Sequence, residues 1–431
     1  MGEYVSYQKE IPVIGGYDVV VLGGGPAGTC AAIEAARNGA KVLLVEATGM
    51  LGGMATSGMV GPFMTSYDRD GNRPVVGGLF REIITRLAER SAAILPEYTQ
   101  SQSIHTSFID RYHKHVTPFD SFALTLLLDE MTQEAGVDVL LYTRFADVIC
   151  RGRHIESVVV AALEGLRCIK GKVFIDCTGN ADVAAASGVP TWKGEEESGI
   201  PQPGTLMFEV DGVDDQQVAA LGKRPKRPVK IYRTPAEGCY KVNHEHVYAV
   251  DAADSRSMTD AHQTARKQVL QSYHVLRDET QGFAHARISQ VAPVLGVRES
   301  RHIKGRYTIT IEDVSQGTKF EDRIAAYAFG MDVHIRTPEM SGNFKIEVAE
   351  TYYVPYRSML PLNCENLLVA GKTISCISQA AGGLRCMPCA MAMGQAAGAA
   401  SAIALQQKLA LCDVPSLTLQ ELLREHGAIL D

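Results

Sequence analysis

Tyr17-Asp18-Val19-Val20-Val21-Leu22-Gly23-Gly24-Gly25-Pro26-Ala27-Gly28 decides how this chain folds. The apolar run stops at a cluster of glycines, and small residues suited to a helix follow over 30–38. A second apolar run, Lys41-Val42-Leu43-Leu44-Val45, then ends on Glu46. Strand, glycine turn, helix, strand and terminal acid in this order make a complete βαβ dinucleotide fingerprint. Gly23 permits the tight turn, Gly25 lets the backbone approach a pyrophosphate, and Gly28 allows the helix to pack closely on its strand. Pro26 and Ala27 open the helix, whose unpaired N–H groups and positive dipole end favour an anion. Glu46 is placed to accept hydrogen bonds from a ribose diol.

The surrounding 431 residues, 46% hydrophobic, suffice for two or three compact units. A net charge of −7, with no long basic block, argues against nucleic acid or an anionic membrane as partner. The basic cluster Lys223-Arg224-Pro225-Lys226-Arg227 reads as a solvated loop. No apolar run is expected to reach the roughly 18 residues of a membrane span, and the N-terminus lacks a signal-peptide pattern. These features predict a cytoplasmic protein. Ten scattered cysteines fit reduced thiols, and no spacing suggests an iron–sulfur or structural zinc site.

Periodicity predicts amphipathic helices over 77–90 and 121–135, the second capped by Asp120, then strands over 137–142, 146–150, 155–162 and 172–177. From about 190, Pro, Gly and charged residues increase. Strands are expected near 205–210, 240–250 and 305–312, and a polar helix over 259–278. The first texture returns with Asn366-Leu367-Leu368-Val369-Ala370-Gly371 and a Gly/Ala-rich helix over 388–407, where Gly394 and Gly398 lie on one side. The expected division is 1–190 and 361–431 for one nucleotide-binding unit, with 191–360 inserted between them.

Six segments in order carry a family resemblance: YDVVVLGGGPAG with Glu46, Leu51-Gly52-Gly53-Met54-Ala55-Thr56, FIDCTGNADVAAASGVP (174–190), APVLGVRESRHIKG (292–305), MDVH (331–334), and NLLVAGKTIS through RCMPCAMAMGQAAGAA (366–400). The chain resembles the FAD-dependent oxidoreductase family of flavoproteins, related to the glutathione reductase and fumarate reductase folds. The resemblance implies an α/β fold: a Rossmann-like FAD-binding domain of the glutathione reductase type with an inserted α+β substrate domain. It places Gly52, Gly53, Met54, Ala55 and Thr56 along the pyrophosphate and flavin, and Thr178, Gly179 and Asp182 where the middle motif passes the cofactor. Phe145, Gly371, Arg385, Met387 and Gly394 complete the implied FAD contacts. A second glycine-ended strand and a Gly/Ala-lined helix suit a ligand larger than NAD, and no second G-x-G-x-x-G unit offers a nicotinamide domain. Non-covalent FAD is therefore the expected cofactor.

For chemistry, Arg298 and Arg301 would share a helical face and clamp a carboxylate or polarise a carbonyl; the alternative is an interdomain tie through Glu299 or Glu312. Asp332-Val333-His334 would put both polar side chains on one strand face, the carboxylate orienting His334 as a base. Arg357 is a further candidate substrate-facing cation. Arg385 stands before the helix whose dipole would stabilise a reduced flavin, or else caps loop carbonyls. Asn243-His244-Glu245-His246 reads more readily as strand surface than as a metal site, and the redox reading of Cys386-Met387-Pro388-Cys389 is the weaker one. The leading function is hydride transfer between a small organic substrate and FAD, with a transient electron donor or acceptor; the oligomeric state is left open. The rivals are a non-catalytic flavin sensor or assembly subunit, which predicts a closed apolar space over the flavin, and a plain nucleotide-binding protein, which predicts a colourless one.

Overall fold

The computed structural model describes residues 5–99, 114–220, 229–339 and 346–431; the basic cluster at 223–227 lies outside them. Strand β1 (Val13–Leu22) enters the glycine turn, α1 (Pro26–Arg37) follows, and β2 (Val42–Val45) returns parallel to β1. Helices α2 (Gly78–Glu89) and α3 (Ser121–Glu134) lead to β3 (Asp138–Leu140), parallel to β2. As predicted, Asp120 caps α3, its Oδ1 accepting from Ala123 N at 2.7 Å. Then come β4 (Arg144–Arg151), β5 (His154–Ala162) and β6 (Gly165–Asp176), antiparallel to one another.

Strand β6 joins the antiparallel and parallel parts of one seven-stranded sheet. Its residues 165–170 pair with β5, residues 168–176 run parallel to β1, and Phe174–Asp176 also run parallel to the late strand Leu367–Val369. The parallel sheet therefore has the order β3-β2-β1-β6-(367–369). Its central strands are buried on both faces, which is why Val19–Leu22 and Val42–Val45 read as unbroken apolar runs instead of alternating ones.

The helix Met387–Gln407 packs along α1 through glycine. A Cβ at Gly394 would lie 2.0 Å from Ala27 O, and one at Gly398 would lie 2.4 Å from Ala31 O. On the side a Cβ would occupy, Gly394 is thus closed against α1, where its small size serves helix packing. The helix also corrects the expectation about apolar runs. By length and hydropathy it passes as a span, but 89% of its most apolar stretch is buried inside the protein. A helix apolar all round is what a core position demands.

A second core gathers residues between 206 and 297 together with Met59. Four antiparallel strands, in the order Lys230–Arg233, Tyr240–Asn243, Phe208–Asp211, Arg287–Val291, pack on the helix Ser255–Glu279. Val210, Tyr240 and Val242 share one core with Ala261, Ala265 and Val269. Apolar residues from 309 to 360 join the first core instead, because the hairpin of Arg323–Tyr327 with Tyr352–Pro355 packs beside the C-terminal helix. The independent second core is accordingly narrower than 191–360. Of the strand expected at 305–312, only isolated bridges at Gly305 and Ile309 form, and the helix Ile311–Gln316 takes over its end. Thr310 and Asp313 form a reciprocal capping box that starts it, a local signal stronger than the alternating side chains before it.

Candidate active site

Each glycine of the fingerprint has a distinct surrounding. Gly23 has φ +99°, and a Cβ there would lie 2.4 Å from Cys177 O. A Cβ at Gly28 would fall 1.8 Å from Gly23 O. Around Gly25 nothing comes within 4 Å of such an atom, although the loop is otherwise tightly packed. This open face adjoins the first turn of α1, whose leading amides have no intrahelical acceptor. Glu46 braces the loop: Oε2 accepts from Gly24 N at 2.7 Å, and Oε1 from Thr48 N and Oγ1 at 2.7 and 2.8 Å. Thr48 carried no signal in the sequence reading.

The segment Gly52-Gly53-Met54-Ala55-Thr56 lies on this loop. Gly52 N donates to Gly24 O at 2.8 Å, and Gly53 has φ +50° with room for only a hydrogen toward Gly25 Cα. Thr56 Oγ1 closes the turn on Leu51 O at 2.6 Å. At the end of β6 the buried Asp176 accepts from Thr178 N, Thr178 Oγ1 and Ala184 N, and Thr178 Oγ1 accepts from Asp182 N. Gly179 and Gly371 both adopt positive φ beside these turns. Phe145 sits half-buried in β4, paired with Val160 and outside the cavity described next.

A cavity of about 430 Å³ opens between the two cores. Met54 and Met387 line it together with Arg298, Asp332, His334 and Arg385. His334 Nε2 lies 3.0 Å from Asp332 Oδ2, and Arg385 Nη2 donates to Asp332 Oδ2 at 3.0 Å and to Asp332 O at 2.8 Å. The expected pairing of Asp332 with His334 is thus present, but on an irregular segment instead of a strand. Burial and the charge of Arg298 push His334 down to about 4, outweighing Asp332. Burial disfavours ionised Asp332, yet His334 and Arg385 hold it well below the usual carboxylate range. His246 meets the His334 ring edge-on at 4.8 Å and is itself pushed down to about 3, by burial and then by Arg298. Arg385 Nε is buried with no partner among the described residues.

Two expected cations are elsewhere. Arg301 donates to Asp182 Oδ1 at 2.8 Å and Asn180 O at 3.0 Å, so it ties the middle motif to its neighbour. The segment around it is extended and not helical, which sends Arg298 and Arg301 apart. Arg357 stacks over the rings of Tyr307 and Phe320 beside Asp322 and does not line the cavity. Cys386 and Cys389 are free thiols; burial pushes Cys386 up to about 12 and holds Cys389 well above the usual thiol range, which works against thiolate chemistry.

Sequence reasoning missed two groups. Lys230, Tyr232 and Lys372 line the cavity, and Lys372 Nζ donates to Val297 O at 2.7 Å. Behind it lies a buried polar network. Glu299 Oε2 accepts from Gln202 N and Arg336 Nη1, each at 2.9 Å, and Oε1 accepts from Ser378 Oγ. Burial disfavours ionised Glu299, but His302, Ser378 and Arg336 hold it down at about 2. The arginine that engages Glu299 is therefore Arg336, a residue without a local motif.

The family model described as FAD dependent oxidoreductase matches residues 18–423. The chain belongs to that family, and FAD is the cofactor that goes with it. A dihydrolipoyl dehydrogenase from Trypanosoma brucei brucei is 51% identical over 47 residues, 11% of this chain and 10% of that protein; the match thus spans about a tenth of that relative's length. An uncharacterized protein encoded in the nifH2 5′ region of Methanosarcina barkeri is 28% identical over 187 residues, 42% of this chain and 93% of its own length. Among solved structures, a geranylgeranyl bacteriochlorophyll reductase-like protein from Thermoplasma acidophilum is similar over 95% of this chain and 83% of its own, with 13% identity and a TM-score of 0.46.

Proposed function

We propose that this protein is an FAD-dependent enzyme, with a nucleotide-binding unit of the glutathione reductase type, that transfers a hydride between FAD and a small organic substrate held in the cavity between the two cores. The observation that carries this reading is the chain Arg385–Asp332–His334 on the cavity wall beside Met54, in the segment that rests on the fingerprint loop. The open face at Gly25 and the first turn of α1 fit the FAD diphosphate, and Glu46 retains acceptor capacity for the ribose. The buried Nε of Arg385 is a donor left for the group that fills the site. When bound, FAD supplies a two-electron centre that accepts or donates hydride.

The protein residues manage the proton. Asp332 accepts from His334 Nε2–H and so fixes the tautomer with its lone pair on Nδ1. Held neutral near pH 7, that nitrogen takes the proton released when a substrate C–H or O–H is oxidised, and returns it in the reverse direction. Arg385 anchors Asp332 by main chain and carboxylate alike, keeping the imidazole in register. These charged groups oppose the sensor reading, which requires an apolar space.

The purified protein is expected to be yellow, to release its colour fully on acid precipitation, and to bleach anaerobically with a member of a panel of polyols, glycosides and carboxylic acids. A colourless protein overturns the reading. The acidic limb of kcat/KM should fall near pH 4, where His334 gains its proton, and not near 6.5. Removing a neighbouring cation makes protonation easier, so Arg298→Met should move this limb to higher pH. A limb near 6.5 that the substitution leaves in place would remove His334 as the base.

A further inference from the structure

Four basic side chains, Lys230, Arg298, Lys372 and Arg385, line the cavity, and Asp332 is the carboxylate among its lining residues. The negative charge of FAD resides in its diphosphate, which the proposed function assigns to the fingerprint loop, and the oxidised flavin ring is neutral. The positive field of the cavity is therefore left for the other occupant. Arg385 already spends Nη2 on Asp332, and Lys372 Nζ is turned to Val297 O. Arg298 is arranged differently. Its Nη1 is pinned by Pro203 O and Thr205 Oγ1, both at 2.8 Å, while Nε and Nη2 have no partner among the described residues. These two atoms form the side-on edge of a guanidinium, the edge that matches the two oxygens of a carboxylate. Val60, Pro62, Met64, Phe329 and Ile346 form an apolar stretch of the wall, alongside the polar Thr205, Tyr232, Asn243 and His334.

We propose that the substrate is an organic carboxylate, its carboxylate held side-on by Nε and Nη2 of Arg298 and its hydrocarbon body laid on the apolar wall. This deepens the hydride-transfer reading and rests on it. The cations already oppose one another: burial and then the charge of Arg385 push Arg298 down to about 10 and Lys372 down to about 8. An anion relieves that repulsion, whereas a neutral ligand leaves it in place.

The test is calorimetric titration of the FAD-loaded protein with hexanoate, benzoate and phenylacetate, each alongside its primary amide, with phenyl phosphate as a separate arm. At least one acid should bind saturably, with its amide weaker by about tenfold or more, the range expected for charge-assisted hydrogen bonds. Arg298→Met should weaken the acid by a similar factor and leave the flavin spectrum unchanged. Arg298→Lys, which keeps the charge but loses the fork, should recover only part of the binding. The inference is overturned if the amide binds as well as the acid, if Arg298→Met binds the acid normally, if none of the acids binds at millimolar concentration, or if phenyl phosphate alone binds. A yellow, reducible protein giving one of those results sinks only the carboxylate assignment. A colourless protein removes the hydride-transfer reading and this inference together.

Discussion

Gly25→Val is expected to purify as a folded, colourless protein. The backbone at Gly25, φ −72° and ψ −172°, is extended and open to any residue, and nothing lies within 4 Å of the position its Cβ would take. The substitution therefore costs the apoprotein little. The space it fills is the space a diphosphate must enter to reach the amides of α1, so cofactor binding is lost while the thermal midpoint stays near that of the wild-type apoprotein. Gly28→Val makes the contrast. Its Cβ would fall 1.8 Å from Gly23 O, so this protein should fail to fold. The pair is read by the ratio of visible to ultraviolet absorbance together with circular dichroism. A yellow Gly25→Val protein would show that the diphosphate binds elsewhere.

Glu299→Leu should cost about 3–5 kcal/mol of stability, because it leaves the Arg336 guanidinium, 4% exposed, buried without its anion. Leaving a charge uncompensated, rather than losing the attraction itself, is the larger part of that cost. The double variant Glu299→Leu, Arg336→Met should then recover much of the loss, with denaturant unfolding as the measurement. A double variant no better than the single one would show that the network acts through its other hydrogen bonds. The sign of the pH dependence follows from the depressed pKa. The Glu299 contribution is complete above about pH 4.3, the value for an unfolded glutamate, and drains away as pH falls toward about 2. Glu299→Gln should flatten that part of the wild-type acid profile.

What the sequence made legible was local. The glycine turn, the apolar runs of β1 and β2, and the cap at Asp120 each depend on residues within a few positions of one another, so their pattern survives into the structure. The helix at Ile311–Gln316 was legible in principle through Thr310 and Asp313, but the expectation placed a strand over 305–312. Long-range partnerships were not legible. Arg301 finds Asp182 across 119 residues, and Arg385 finds Asp332 across 53. Neither pairing leaves a trace in spacing, and the same arginine pattern fits a substrate clamp or a structural tie. Gly394 and Gly398 were recognised as a smooth face, but which surface they would meet depended on where the helix docks.

The docking of Met387–Gln407 on α1 also has a consequence for biosynthesis. A ribosome making this chain releases α1 and β2 long before the 21-residue apolar helix that covers them exists. Until that helix emerges, the nascent nucleotide unit exposes the groove that Gly394 and Gly398 later fill, and the parallel sheet lacks its Leu367–Val369 edge. Such far-apart pairings close slowly and leave apolar surface open in the meantime. Early folding intermediates of this protein should depend on chaperone capture, and FAD added during translation should act only after the last long helix has left the exit tunnel.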